Sequence, residues 1–123
     1  MTSGIKVLIV DDEAFNFEVL KAALPSRFEL SYVESGEGCL ANAMSQSPDI
    51  ILLDVCMPGL DGYDTCRLIK NTPETQSIPV IMVSGLESEN EKQEAFAAGC
   101  DDYLVKPYSM NDLVTMIDTF ARH

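Results

Sequence analysis

Apolar positions along this chain alternate between short β-branched runs and stripes at helical spacing, from one end to the other. Ile5 to Val10 (IKVLIV) reads as a strand closed by Asp11-Asp12. From Glu13 to Leu24 the residues Phe17, Leu20 and Leu24 recur at helical spacing until Pro25 ends the run. Phe28 to Val33 predicts a second strand, and Gly36 to Ser45 a helix with Cys39, Leu40, Ala43 and Met44 on one face. Asp49 to Asp54 (DIILLD) is nearly all apolar, which suits a strand covered on both faces. The second half repeats the scheme. Asp61 is placed to cap a helix from Gly62 to Lys70, and Pro79 to Ser84 (PVIMVS) is another buried strand. Ser88-Glu89-Asn90-Glu91 has the form of a capping box opening a helix that ends at Gly99. Asp102 to Val105 is a short fifth strand, and Ser109 caps a last helix whose apolar stripe is Met110, Leu113, Val114, Ile117 and Phe120.

Five strands alternating with five helices predict an α/β fold, a doubly wound parallel sheet with helices on both faces, because parallel strands need right-handed crossovers. Units of this length fit the flavodoxin-like (βα)5 arrangement with strand order 2-1-3-4-5. In such sheets ligands meet the chain beyond the carboxyl ends of the strands, where the order reverses. The residues at those ends are Asp11 and Asp12, Asp54, Ser84 and Lys106.

Composition narrows the partners. With 46% hydrophobic residues over 123 positions, the chain suits one globular domain with an adequate core. Twenty acidic residues against eight basic ones give a net charge of -12, which disfavours nucleic acid and anionic membrane surfaces. No run approaches the roughly 18 apolar residues of a membrane helix, and the start lacks the pattern of a signal peptide, so a cytoplasmic location is expected. Cys39, Cys56, Cys66 and Cys100 show no CxxC spacing, and His123 is the single histidine, which excludes the usual zinc patterns.

Three carboxylates, a hydroxyl and an ammonium at neighbouring strand ends define a chemistry. Clustered carboxylates repel unless a cation intervenes, and Mg²⁺ prefers a few carboxylate oxygens while retaining water. A cation, a lysine, a hydroxyl donor and a further carboxylate together suit phosphoryl transfer, with the carboxylate attacking in line. Each residue also has a plainer reading. Asp11 can cap the first helix, Asp54 can be a turn residue, Lys106 can be solvated, and Ser84 and Tyr103 are common types at strand ends and half-buried sites.

VDDE at Val10 to Glu13, LLDVCMPGLDG at Leu52 to Gly62, VSG at Val83 to Gly85 and DDYLVKP at Asp101 to Pro107 occur in this order across nearly the whole chain. In this the sequence resembles the receiver domains of two-component response regulators. The resemblance implies that residues 1–123 form a single receiver domain, free-standing or cut from a longer regulator. It implies that Asp54 accepts a phosphoryl group from a histidine kinase or histidine phosphotransfer protein. Asp12 is then a direct Mg²⁺ ligand, Asp11 a ligand through water, and Asp54 and the Cys56 backbone carbonyl complete the set, with Mn²⁺ as the alternative ion. Lys106 corresponds to the lysine that pairs with the acceptor and then with the phosphoryl oxygens, and its bond to Pro107 is expected to be cis. Ser84 stands in the place of the switch hydroxyl, and Tyr103 in that of the aromatic that turns inward afterwards. Gly85 leaves room for the phosphoryl group, and Gly62 fits the turn before the third helix. Cys56 and Leu86 flank the path of the hydrolytic water, and the apolar Leu86 predicts slow self-dephosphorylation.

The expected function is therefore a phosphorylation-controlled switch, with self-phosphorylation and self-dephosphorylation but no turnover of a separate substrate. A phosphorylation-linked dimer and an output domain or protein are further expected partners. A phosphohydrolase working through an aspartyl phosphate is the nearest alternative, but Cys56 occupies the position of its acid/base carboxylate. Retention of the whole constellation argues against a binding module that has lost phosphorylation. Acids after the first strand argue against flavin, and a nucleotide P-loop motif is absent.

Overall fold

A computed structural model of the chain describes residues 4–54, 61–85 and 89–121. Ten elements follow one another: β1 (Ile5–Val10), α1 (Ala14–Ala23), β2 (Phe28–Val33), α2 (Gly36–Gln46), β3 (Ile50–Asp54), α3 (Gly62–Lys70), β4 (Val80–Ser84), α4 (Glu89–Ala97), β5 (Asp102–Val105) and α5 (Met110–Ala121). All strand pairs are parallel, and the sheet order is β2-β1-β3-β4-β5. The expected order and element count are both present.

The central strands have apolar residues facing both ways because both faces of the sheet are covered. Leu8, Val10, Ile51, Leu53, Val80, Met82 and Tyr103 pack with residues of α2, α3 and α4. Their neighbours Val7, Ile9, Ile50, Leu52, Ile81, Val83 and Leu104 pack with residues of α1 and α5. Leu113 and Ile117 bring α5 into that second layer, as their spacing predicts.

The helix ends follow local chemistry. Ser35, Asp61 and Ser109 each accept a hydrogen bond from the backbone N–H three residues on, at 3.0, 2.9 and 3.0 Å. Gly62 is the first residue of α3 and not part of the preceding turn. Gly99, at φ 105°, ends the α4 turn in a conformation that favours glycine. The Ser88 capping box lies outside the described residues. The buried face of α2 is narrower than its apolar spacing predicts: Met44 is exposed, because α2 buries Cys39 and Ala43 and its stripe rotates outward beyond them.

Candidate functional site

Register brings the acidic residues together. Val10 of β1 stands opposite Leu53 of β3, so Asp11 and Asp54 leave adjacent strands at the same level. Asp54 in turn pairs with Val83, and Ser84 with Val105, which places Ser84 and Lys106 beside it on the same sheet edge. Carboxylate oxygens of Asp11, Asp12 and Asp54 all lie within 4.8 Å of one another, with Asp11 buried and Asp12 exposed. Hard oxygen donors at that spacing, partly open to solvent, fit a Mg²⁺ ion that keeps some of its water.

Two cavities flank the cluster. A shallow one of about 470 Å³ is lined by Asp12, Glu13, Asn16, Asp54, Ser84, Gly85 and Lys106. A second, of about 370 Å³, runs beneath it between α1 and α5 and is walled by Leu20, Leu52, Val83, Tyr108 and Met110. Asn16, Asp54 and Lys106 line both. Ser84 is buried, and its carbonyl accepts the Lys106 backbone N–H at 2.8 Å, tying β4 to the turn that carries the lysine. The Lys106–Pro107 bond is cis, as expected. A Cβ at Gly85 would meet no heavy atom within 4 Å among the described residues, so the cavity floor is open there.

Asp11 is held on every side. Its Oδ1 accepts the Glu13 backbone N–H at 2.9 Å and its Oδ2 accepts the Asn16 side-chain amide at 3.0 Å. Its own N–H donates to Val33 O at 3.2 Å, and its carbonyl accepts the Tyr32 hydroxyl at 2.8 Å. Tyr32 is fixed by stacking on Phe17, with ring centroids 4.9 Å apart. Burial first, and then the charges of Glu34, Asp11 and Asp12, hold the Tyr32 phenol above its ordinary pKa, so it stays a donor. Burial and the Asp11 charge raise the Tyr108 phenol in the same direction. The loop-bonding and cation-binding readings of Asp11 are thus compatible, since each bonded oxygen retains a lone pair.

Asn16, Tyr32 and Tyr108 escaped the sequence reading. Their bonds and contacts arise from the β1–β2 pairing and the entry angle of α1, and no local motif announces them. Tyr103 lies away from both cavities, buried in the layer under α3 and α4. The ring expected to turn inward is therefore already inside in this structure. Cys56 and Leu86 lie outside the described residues.

The sequence profile of the response regulator receiver domain matches residues 7–118. The chain is 40% identical over 103 residues to the response regulator PleD of Caulobacter vibrioides, covering 83% of this chain and 23% of that protein. It is 35% identical over 122 residues to the transcriptional regulatory protein ResD of Bacillus subtilis, covering 98% of this chain and 50% of that one. The receiver domain of the sensor histidine kinase PA1611 from Pseudomonas aeruginosa, solved with a magnesium ion in its active site cleft, superposes with a TM-score of 0.89 at 28% identity. That likeness covers 98% of this chain and 99% of that one. The fold and the acidic cleft are those of a receiver domain. The chain belongs to the response regulator receiver domain family. It spans half or less of these two curated relatives.

Proposed function

We propose that Asp54 is the phosphoacceptor of this receiver, with Asp11 and Asp12 as its cation ligands and Lys106 and Ser84 as the groups that receive the phosphoryl oxygens. The observation that carries this reading is the convergence of three carboxylates within 4.8 Å beside a cavity that Ser84 and Lys106 also line. In the reaction a carboxylate oxygen of Asp54 attacks phosphorus in line, the bond from phosphorus to the donor's histidine nitrogen breaks, and that nitrogen leaves with the electron pair. Bound Mg²⁺ would supply charge neutralisation of the phosphoryl oxygens, with Mn²⁺ able to take its place. Lys106, which lines the same cavity, offers a second, fixed positive charge.

Phosphorylation adds roughly two negative charges and three acceptor oxygens. Ser84 is placed at the end of β4 to donate to one of them, which draws in the loop that follows. The arrangement with Tyr103 inside binds the phosphoryl group better than the alternatives, and that difference shifts the population. No turnover of a separate substrate follows from this site. We further propose that residues 1–123 act as one receiver unit in the cytoplasm, with a histidine kinase or phosphotransfer protein as donor. An output domain or protein then reads the switched surface, and a phosphorylation-linked dimer is one form it can take. Among the described residues no helix is long and apolar enough to cross a membrane.

Beryllofluoride with Mg²⁺ tests the reading, because it forms a phosphoryl-like adduct on a carboxylate. The wild type is expected to show amide shifts at Ser84, Gly85 and Lys106, and Asp54→Asn none. Shifts of equal size in Asp54→Asn would assign the acceptor elsewhere.

A further inference from the structure

We infer that Asn16 is a positioning residue of the acidic site: its side-chain amide fixes the Asp11 carboxylate and thereby sets the cluster's affinity for a divalent cation. The inference rests on the phosphoacceptor reading above and deepens it. Asn16 sits in the first turn of α1, half-buried, and its Nδ2 donates to Asp11 Oδ2 at 3.0 Å and to Glu13 Oε1 at 3.3 Å. The other Asp11 oxygen is held by the Glu13 backbone N–H. Among the described residues Asn16 is the one side chain that donates to this carboxylate. A second observation places it at the same centre: Asn16, Asp54 and Lys106 are the residues that line both cavities.

The residue type suits the task. A carboxylate's terminal torsion is soft, so an Asp11 held at one oxygen alone would swing. Held at both, it has already lost that freedom when a cation arrives. Three carboxylates within 4.8 Å also repel one another, and an amide dipole offsets part of that repulsion without bringing a charge. A lysine here would compete with the cation, and an aspartate would add a fourth repelling group. Partners that orient a ligand from behind, without touching the ion, typically change metal affinity by about 10–100-fold when removed. The lower end applies here, because the Glu13 N–H bond would remain.

The test is a titration of the wild type, Asn16→Leu and Asp54→Asn with MgCl₂, followed by amide shifts at Asp11, Asp12 and Glu13. Asn16→Leu is expected to bind Mg²⁺ about tenfold more weakly with an otherwise native spectrum. Its labelling by acetyl phosphate should be slow at low Mg²⁺ and recover as MgCl₂ is raised, a cure that a merely structural defect would not show. Equal Mg²⁺ affinity in Asn16→Leu and wild type overturns the inference, as does slow labelling that high Mg²⁺ leaves unchanged. Should Asn16→Leu lose the native spectrum, Asn16→Ser carries the same comparison with a side chain too short to span the gap. A wild type that binds no Mg²⁺ at all overturns the phosphoacceptor reading instead, which separates the two failures.

Discussion

Ser84 and the cysteines show how position decides what a reactive side chain does. Ser84 is buried at the end of β4 on the wall of the acidic cleft, and the proposed role gives it the phosphoryl group to hold and not the cation. Ser84→Ala should therefore still accept a phosphoryl group but lose most of the amide shifts that beryllofluoride produces in α4 and β5. Full α4 and β5 shifts in that variant, measured by NMR, would remove Ser84 from the switch. Cys39, Cys66 and Cys100 are all buried in the layer under α2, α3 and α4. Burial pushes Cys39 and Cys100 up to about 12 and Cys66 to about 11. Thiolate is the nucleophile, so iodoacetamide at pH 8 should leave these three unlabelled in the folded protein, and peptide mapping reads this directly. The sign for stability follows. These thiols keep their protons in the folded chain while the unfolded chain releases them above about pH 8.5, so their contribution is present below that pH and lost as pH rises. Leu86 carries a prediction from sequence alone: Leu86→Glu should shorten the lifetime of the phosphorylated form, and an unchanged lifetime would contradict it.

At the scale of elements, what was readable in the sequence and what was not separate on physical grounds. β3 and β4 are readable because DIILLD and PVIMVS are apolar on both faces, and both faces are covered. Asp54, Ser84 and Lys106 were legible because a strand end in a parallel sheet has a fixed place. Asn16 and Tyr32 were not, since their bonds to Asp11 need the register of Ile9 with Tyr32 and the direction of α1. Met44 was misplaced because a helical stripe continues in sequence after the core beneath it has ended. Ala43 is buried and Met44 exposed, so Ala43→Glu should destabilise the protein strongly while Met44→Glu stays within about 0.5 kcal/mol in urea unfolding. Equal losses would contradict the observed face. Ser109 caps α5, and Ser109→Ala should cost about 1 kcal/mol in urea unfolding.

For the molecule as a whole, a net charge of -12 and a cleft of clustered carboxylates favour cations over anions, yet the proposed reaction brings in a phosphoryl group. A divalent cation and Lys106 acting together at Asp54 resolve this conflict. Asp54 is then expected to carry the phosphoryl group only when the cation is bound. The most direct measurement is the intact mass of the protein after incubation with acetyl phosphate, with and without Mg²⁺, beside Asp54→Asn treated identically. A gain of one phosphoryl mass is expected in the wild type with Mg²⁺, and none without Mg²⁺ or in the variant. The same adduct in Asp54→Asn, or in wild type stripped of divalent ions, would contradict it.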